Sequence, residues 1–305
     1  MKQIDLEKSG LMASEISLGC MRICGLDYKD AEKLVHTAVE EGITLYDHAD
    51  IYGAGKSEEI FADVLKATPH LREKMLIQTK CAIHDGMFDF SKEHILKSVD
   101  GSLKRLNIDS IDILLLHRPD SLMEPEEVAE AFETLHQSGK VKHFGVSNQN
   151  SMQMSLLSKY VKEKLIINQL QLSLTNTTMI DAGFNVNMHI DPSVIRDGSI
   201  LEYCRLNDIT IQAWSPFQYG FFEGVFLNNE KFPELNKKID EIAEQKGVTN
   251  SAIAIAWILR HPAKIQPIVG TTSASRLSNI CKASDVTLSR TEWYDLYKAA
   301  GNTLP

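Results

Sequence analysis

The sequence predicts a single (β/α)8 barrel preceded by a short hairpin and closed by a C-terminal helix. Three observations carry that prediction. Short apolar runs alternate with amphipathic stretches eight times between residues 16 and 283, the pattern of a parallel sheet covered by helices. No shift in composition divides the 305 residues, which favours one barrel domain over 1–305 rather than two domains. An open doubly wound sheet would place a Gly-x-Gly-x-x-Gly turn after an early strand, and the chain has none.

The elements follow in order. Residues 1–11 read as a hairpin outside the main body, with Ser9 and Gly10 at its turn. The first barrel strand is the apolar run 16–19, and a helix over 27–41 sets Ala31, Leu34, Val35 and Ala38 on one face. A strand at 44–49, a helix at 57–67, a strand at 75–80 and a helix at 91–106 come next. The run 111–117 is almost wholly apolar, as a strand covered on both sides must be. Pro125 opens a helix over 125–138 and Gly139 ends it. Strands at 141–147, 166–172 and 209–214 alternate with helices at 151–160 and 198–207. Helices at 233–246 and 249–260 lead to the eighth strand, 267–270, and to helices at 274–283 and 291–299.

Two connections are long: 173–197, polar and containing Asp191-Pro192, and 217–232, which carries Phe217, Tyr219, Phe221, Phe222 and Phe226. Both follow strands, so both are expected on the C-terminal face, where barrel enzymes place their sites. Together they predict an apolar pocket with a few polar contacts.

The net charge of −9 and the pI near 5.6 argue against nucleic acid or an anionic membrane surface as partner. The N-terminus has no long apolar run, and the runs 111–116 and 251–259 are too short to span a bilayer. The five cysteines are scattered, without a Cys-x-x-Cys pair, which fits reduced thiols in a cytoplasm. Cys20, Cys24 and His48 could be read as metal ligands, but no tetrahedral set follows, and no metal is expected.

The chemistry gathers at strand ends. Residues 45–53 read Leu-Tyr-Asp-His-Ala-Asp-Ile-Tyr-Gly, a short strand that delivers Asp47 to its end and releases Tyr52 into a loop. The next strand ends at Lys80 and the one after at His117. Each alone has a bland reading, as a turn residue, a half-buried aromatic, a solvated strand end and a core histidine. Three consecutive strands with a polar group at the same end adjoin in a barrel, so the four are expected to converge. A phenol has an ordinary pKa of about 10; a neighbouring ammonium lowers it, and a carboxylate can hold that ammonium in place. Tyr52 then becomes a proton donor to a carbonyl oxygen, with neutral His117 polarising the same atom. Nothing in such a site carries a hydride, so a nicotinamide must supply it. The fragment Gly53-Ala54-Gly55-Lys56-Ser57 lacks the spacing of a phosphate loop.

These residues resemble the aldo-keto reductases over essentially the whole chain, with wording nearest the bacterial YdhF-like group. The resemblance rests on 45–53 with Ser57-Glu58, Thr79-Lys80-Cys81, Leu115-Leu116-His117-Arg118-Pro119-Asp120 and Gly145-Val146-Ser147-Asn148. It extends to Asn168-Gln169, Ala213-Trp214-Ser215-Pro216, and Gly270-Thr271 with Arg276. It implies NADP(H) and a catalytic set of Asp47, Tyr52, Lys80 and His117. It also implies that Ser147, Asn148 and Gln169 bind the nicotinamide amide, that Trp214 stacks on its ring, and that Ser215 lies along the pyrophosphate. Gly19, Met21, Asp47, Pro216, Gly270, Thr271, Thr272 and Asn279 complete the implied cofactor contacts. Many family members have Lys-Ser after the eighth strand, where this chain has Gly270-Thr271-Thr272-Ser273; Arg276 remains as a bidentate partner for a 2′-phosphate.

The expected function is NADPH-dependent reduction of a small aldehyde or ketone, by a monomer unless an interface shows otherwise. The alternative within the same fold is a non-catalytic subunit that holds the cofactor and senses it. A barrel isomerase or hydrolase would call for a phosphate or metal cluster on the same face.

Overall fold

The computed structural model describes residues 1–6 and 10–305. A hairpin, β1 (Gln3–Leu6) and β2 (Leu11–Ser14), comes first. The expected turn at Ser9 lies outside the described residues; Gly10 has φ +82°. Next come β3 (Ser17–Gly19), α1 (Tyr28–Glu40), β4 (Leu45–Asp47), α2 (Lys56–Ala67) and β5 (Leu76–Cys81). A small hairpin, β6 (Ile83–His84) and β7 (Met87–Phe88), precedes α3 (Lys92–Leu106). The chain continues through β8 (Ile111–Leu116), α4 (Pro125–Gln137), β9 (Val141–Ser147), α5 (Ser151–Ser158) and β10 (Leu165–Gln171). Then follow α6 (Thr178–Phe184), α7 (Ile200–Leu206), β11 (Thr210–Trp214) and a second small hairpin, β12 (Gln218–Tyr219) and β13 (Gly224–Val225). Two helices, α8 (Pro233–Lys246) and α9 (Asn250–Leu259), lead to β14 (Gln266–Val269), α10 (Ala274–Cys281) and α11 (Arg290–Ala299).

Eight strands close into a parallel barrel in the order β3, β4, β5, β8, β9, β10, β11, β14, and β14 pairs back to β3. The eight expected strands are these eight. The helices expected to begin at 27, 91 and 249 begin one residue later because that first residue is a cap. Asp27, Ser91, Thr249 and Ser273 each accept a backbone N–H of the following turn, and Asn150 and Ser289 form full capping boxes.

The large core lies between strands and helices, where the outward-facing residues of the sheet meet Leu34, Phe61, Val99, Phe132, Ile239 and Trp257. A second cluster is smaller and tells more about architecture. Leu6 and Ala13 of the hairpin pack in one cluster with Leu45, Ile113, Leu115, Ile166 and Ile167, of which all but Leu115 come from the first halves of their strands. The backbone N–H of Ser14 donates to Thr44 Oγ1 at 2.8 Å, and Gln266 Nε2 donates to the Ser14 carbonyl at 2.6 Å. The hairpin therefore plugs the N-terminal end of the barrel and is not the peripheral appendage its sequence position indicated. At the far end of the chain, α11 is locked to α9 by Trp293 and Trp257, whose rings stack at 4.9 Å. Each indole N–H donates to the other residue's carbonyl.

The long connection 173–197 also departs from expectation. It forms α6, and its Phe184 packs against Trp293, Tyr294 and Tyr297 while Tyr297 Oη donates to Asp181 at 2.6 Å. Its aromatic contact goes to the C-terminal helix.

If the hairpin is a plug, truncating its buried leucine opens a cavity in a closed space. Leu6→Ala is expected to cost about 2–4 kcal/mol in urea unfolding; a loss under about 0.5 kcal/mol would mean that the plug is peripheral after all.

Candidate active site

In-register pairing sets Asp47 beside Gly19 on one side and Gln78 on the other. Two residues beyond Gln78, Lys80 is completely buried at the end of β5. Its ammonium reaches both Asp47 oxygens, at 2.7 Å to Oδ1 and 2.8 Å to Oδ2. It also donates to the His48 carbonyl at 2.9 Å and to the Tyr52 hydroxyl at 3.1 Å. Burial works against the charge on Lys80, but Asp47 and Tyr52 outweigh it and hold its pKa above the ordinary lysine value. A buried charge with its partners in place is tolerated; with one removed it costs about 3–5 kcal/mol.

Tyr52 is delivered by a tight loop. Gly53, Ala54 and Gly55 are all left-handed, with φ of 58°, 52° and 88°. A Cβ on Gly53 would stand 2.6 Å from Cys24 Cβ, and one on Gly55 would stand 2.6 Å from Arg105 Cδ, so both positions need glycine for space as well as conformation. The first turn of α2 is pinned from below by Glu58, fully buried, which accepts from Thr79 Oγ1 and from Arg105 Nε at 2.7 Å each. Ser57 is buried and donates to the Met21 carbonyl at 3.2 Å, so this turn is packed against the protein and not shaped to cradle a phosphate.

Burial raises the pKa of Tyr52, and Lys80 pulls it back only in part, so the net shift is upward. The expected lowering by Lys80 is present but smaller than the desolvation. The phenol is therefore protonated at neutral pH. His117 directly follows β8, its backbone N–H donating to the Cys81 carbonyl at 3.0 Å. Its ring meets Tyr52 edge-on at 5.9 Å. Nδ1 is buried without a partner among the described residues, which leaves Nε2 as the nitrogen for a ligand. Burial first, then Lys80 and Arg118, push its pKa well below the ordinary histidine value, so the ring is neutral.

Behind these groups is an amide chain that the sequence reading overlooked. Gln78 and Gln169 both donate to Asp47 Oδ1, the latter at 3.0 Å, and both also donate to Gln212 Oε1. Gln212 donates to Gln78 Oε1 and to Gln266 Oε1, and Gln266 donates to the hairpin carbonyl of Ser14. Gln169 therefore has its amide nitrogen engaged inward. On the next strand end Ser147 Oγ donates to the Gln169 carbonyl at 2.9 Å and accepts from Asn148 Nδ2 at 2.8 Å. Asn148 Oδ1 accepts the Trp214 indole N–H at 3.1 Å. Asn148 and Ser215 have φ of 57° and 52°, turns that aim both at the same opening.

That opening is a cavity of about 800 Å³. Of the residues expected at a cofactor, Gly19, Met21, Asp47, Ser147, Asn148 and Gln169 line it, as do Trp214, Ser215, Pro216, Gly270, Thr271 and Arg276. Tyr52 and His117 line it too, while Lys80 lies just beneath. Thr272 and Asn279 do not: Thr272 is exposed, and Asn279 is one turn farther along α10 than Arg276. Trp214 does not present a bare ring. Phe222 lies nearly parallel to it at 5.8 Å, and Arg118 stands over it at 5.7 Å. The loop 217–232 thus shapes the cavity through Phe217, Phe222, Val225 and Leu227, and the connection 173–197 contributes nothing to the lining.

The far end suits a phosphate-bearing ligand. Gly270 has open space where a Cβ would be. The N-termini of α9 and α10 reach the cavity through Asn250, Ser251 and Arg276, where helix dipoles and unpaired amides attract anions. Asn228, Asn250 and Ser251 were not foreseen; the cap Thr249 marks a helix start but does not say what faces it. Among the described residues, the one grouping with metal-ligand spacing is His84, Asp89 and His94, not Cys20, Cys24 and His48.

A model of the "Aldo/keto reductase family" matches residues 15–300. The chain belongs to the aldo/keto reductase family. It is 36% identical to the uncharacterized oxidoreductase YcsN of Bacillus subtilis, over 98% of each chain. It is 36% identical to a 6-dehydroglucose reductase of Agrobacterium fabrum over 95% of each, and 32% identical to the oxidoreductase YdhF of Escherichia coli over 98% of this chain and 97% of that one. The crystal structure of the thermostable aldo-keto reductase Tm1743 with the inhibitor epalrestat superposes with a TM-score of 0.80 at 26% identity, covering 98% of this chain and all of that one. Family and fold together make the chain an oxidoreductase of carbonyl compounds. No helix among the described residues is long and apolar enough to cross a membrane.

Asp50, two residues before Tyr52, offers a check on how this loop is held. Burial, then Glu58, raises its pKa from 3.8 to about 7, and its Oδ1 has no partner among the described residues. The folded chain thus keeps a proton that the unfolded chain releases, so its contribution to stability falls as pH rises from about 4 to 7 and stays low above that. Asp50→Asn removes this loss. The variant should gain on the order of 1 kcal/mol over the parent at pH 8, allowing for partial exposure, and nothing at pH 4. Urea midpoints at the two pH values decide it; an equal gain at both would refute the protonation account.

Proposed function

We propose that the chain is an NADPH-dependent reductase of aldehydes and ketones, transferring a hydride from the nicotinamide to the carbonyl carbon. One observation carries the reading: a single buried ammonium, Lys80, bonded at once to Asp47 and to a cavity-facing phenol, Tyr52, beside neutral His117. What the cofactor supplies is the hydride, which no side chain of this protein can provide.

The protein's part is proton handling and placement. Tyr52 gives its proton to the carbonyl oxygen as negative charge develops there. Lys80 stabilises the phenolate left behind, and Asp47 keeps Lys80 charged and aimed. His117, through Nε2, donates a hydrogen bond to the same oxygen. A phenol that stays protonated until charge appears is the right starting state for an acid. Gln169 has its nitrogen bonded to Asp47 and Gln212, so its oxygen is the atom available to a carboxamide NH2, with Asn148 and Ser147 alongside. Ser215, Gly270 and Thr271 would follow the pyrophosphate, and Arg276 would meet the 2′-phosphate. Two relatives named as 6-dehydroglucose reductases, 36% and 34% identical, support a carbonyl substrate.

Arg276→Ala should weaken NADPH binding by about 1.5–3 kcal/mol, the scale of a charge-assisted hydrogen bond, with NADH almost unaffected. Fluorescence titration of both cofactors tests this, and equal losses would assign Arg276 elsewhere.

Tyr52→Phe should leave NADPH affinity intact while single-turnover reduction falls by about 10²–10⁴-fold. Lys80→Met should also slow reduction. The double variant should be little worse than Tyr52→Phe, because Lys80 acts through the phenol. Near-normal rates in Tyr52→Phe would remove it as the acid; fully multiplicative losses would give Lys80 an independent role.

A further inference from the structure

The charges lining the cavity are one-sided. Arg22, Arg118 and Arg276 line it, and the sole carboxylate among the lining residues, Asp47, has both oxygens held by Lys80. This excess of cation is local, in a chain whose net charge is −9. On the reading proposed above, Arg276 serves the cofactor and Arg22 is an exposed rim residue. Arg118 has no such role.

Arg118 directly follows His117, so it belongs to the strand end where the proton-handling groups meet. It is half-buried, and among the described residues its guanidinium makes no ion pair and no side-chain hydrogen bond. Its contacts are aromatic: the Trp214 ring at 5.7 Å and the Phe221 ring at 5.8 Å. Trp214 is itself fixed through its indole N–H to Asn148, so the guanidinium rests on an anchored plane. Stacking of this kind orients a guanidinium but leaves its five N–H donors unmatched. A partly desolvated cation with free donors, facing a ligand cavity, is complementary to a planar oxyanion.

We propose that Arg118 is a carboxylate subsite, and that the preferred substrates are aldehydes or ketones bearing a carboxylate on the part of the molecule that reaches Arg118. The carbonyl oxygen lies toward Tyr52 and His117, the carboxylate toward Arg118, and Phe222 and Trp214 flank the apolar segment between them. Arg118 touches no reacting atom. It selects substrate and fixes its orientation, so its effect falls on KM more than on kcat.

The pair 4-carboxybenzaldehyde and its methyl ester tests this, since the two have similar carbonyl reactivity and differ in charge. The parent enzyme with NADPH should show a kcat/KM about 10–100-fold higher for the acid, the range of a bidentate charge-assisted contact. In Arg118→Leu that ratio should collapse to about 1 or below, chiefly through KM, and Arg118→Lys should restore part of it. A parent enzyme that favours the ester, or a ratio unchanged in Arg118→Leu with the variant's melting temperature retained, overturns the subsite. If neither aldehyde consumes NADPH, the reductase reading fails instead. The subsite is then judged by benzoate titration of tryptophan fluorescence, read against benzyl alcohol. Benzoate should quench the parent through Trp214 and not Arg118→Leu; identical titrations overturn it.

Discussion

The ion pair between Lys80 and Asp47 is the constraint on which the rest of this structure depends. Two opposite charges are buried in the barrel mouth, and desolvation would forbid either one alone. Each therefore fixes the other, and the surrounding donors and acceptors complete the arrangement. Lys80 needs three acceptors and finds a carboxylate, a carbonyl and a phenol; Asp47 needs donors and finds an ammonium and two amides. The tyrosine enters this set only because three consecutive left-handed residues turn the chain sharply after it. Glu58, bonded to Thr79 and Arg105, then holds the following helix against the barrel wall.

The barrel separates stability from recognition along its axis. At the N-terminal end, hairpin and strand starts form a closed apolar cluster with no access to ligand. At the C-terminal end, polar groups emerge from strand ends and face a large cavity. The aromatic loop is the adjustable part: Phe226 is fully buried and anchors it, whereas Phe221 and Phe222 are 67% and 47% exposed. Apolar rings held partly in water beside a cavity have surface to bury when a ligand arrives.

The eight strands were legible because runs such as Ile111–Leu116 are apolar on both faces and are bounded by amphipathic helices. Asp47, Lys80 and His117 were legible for the same reason, as polar residues ending such runs. The glutamines were not. Gln78, Gln212 and Gln266 interrupt apolar strands, and only barrel closure brings them onto one chain of hydrogen bonds. The plug was misread because its pairing with strand starts is set by tertiary packing and leaves no periodic trace in eleven residues. For the connection 173–197, polarity alone did not reveal that Phe184 and Asp181 turn toward the C-terminal helix. Arg118 was visible as a residue of a motif, but that its guanidinium finds no polar partner among the described residues is a property of three dimensions.

The glutamine chain has a consequence for how the interior responds to its surroundings. Amides carry no titratable proton and are held here at both ends, from Asp47 down to the carbonyl of Ser14. They act as an immobilised hydration shell: dipoles already pointing at the carboxylate that need not reorganise when charge moves nearby. Mobile ions cannot enter this shell, so Debye screening, effective over about 8 Å at physiological ionic strength, stops at the cavity. The arginines at the rim remain open to it. Ionic strength should then govern how quickly charged molecules arrive and how tightly they hold, while the electrostatic field at the buried Lys80–Asp47 pair stays nearly the same in dilute buffer and in concentrated salt.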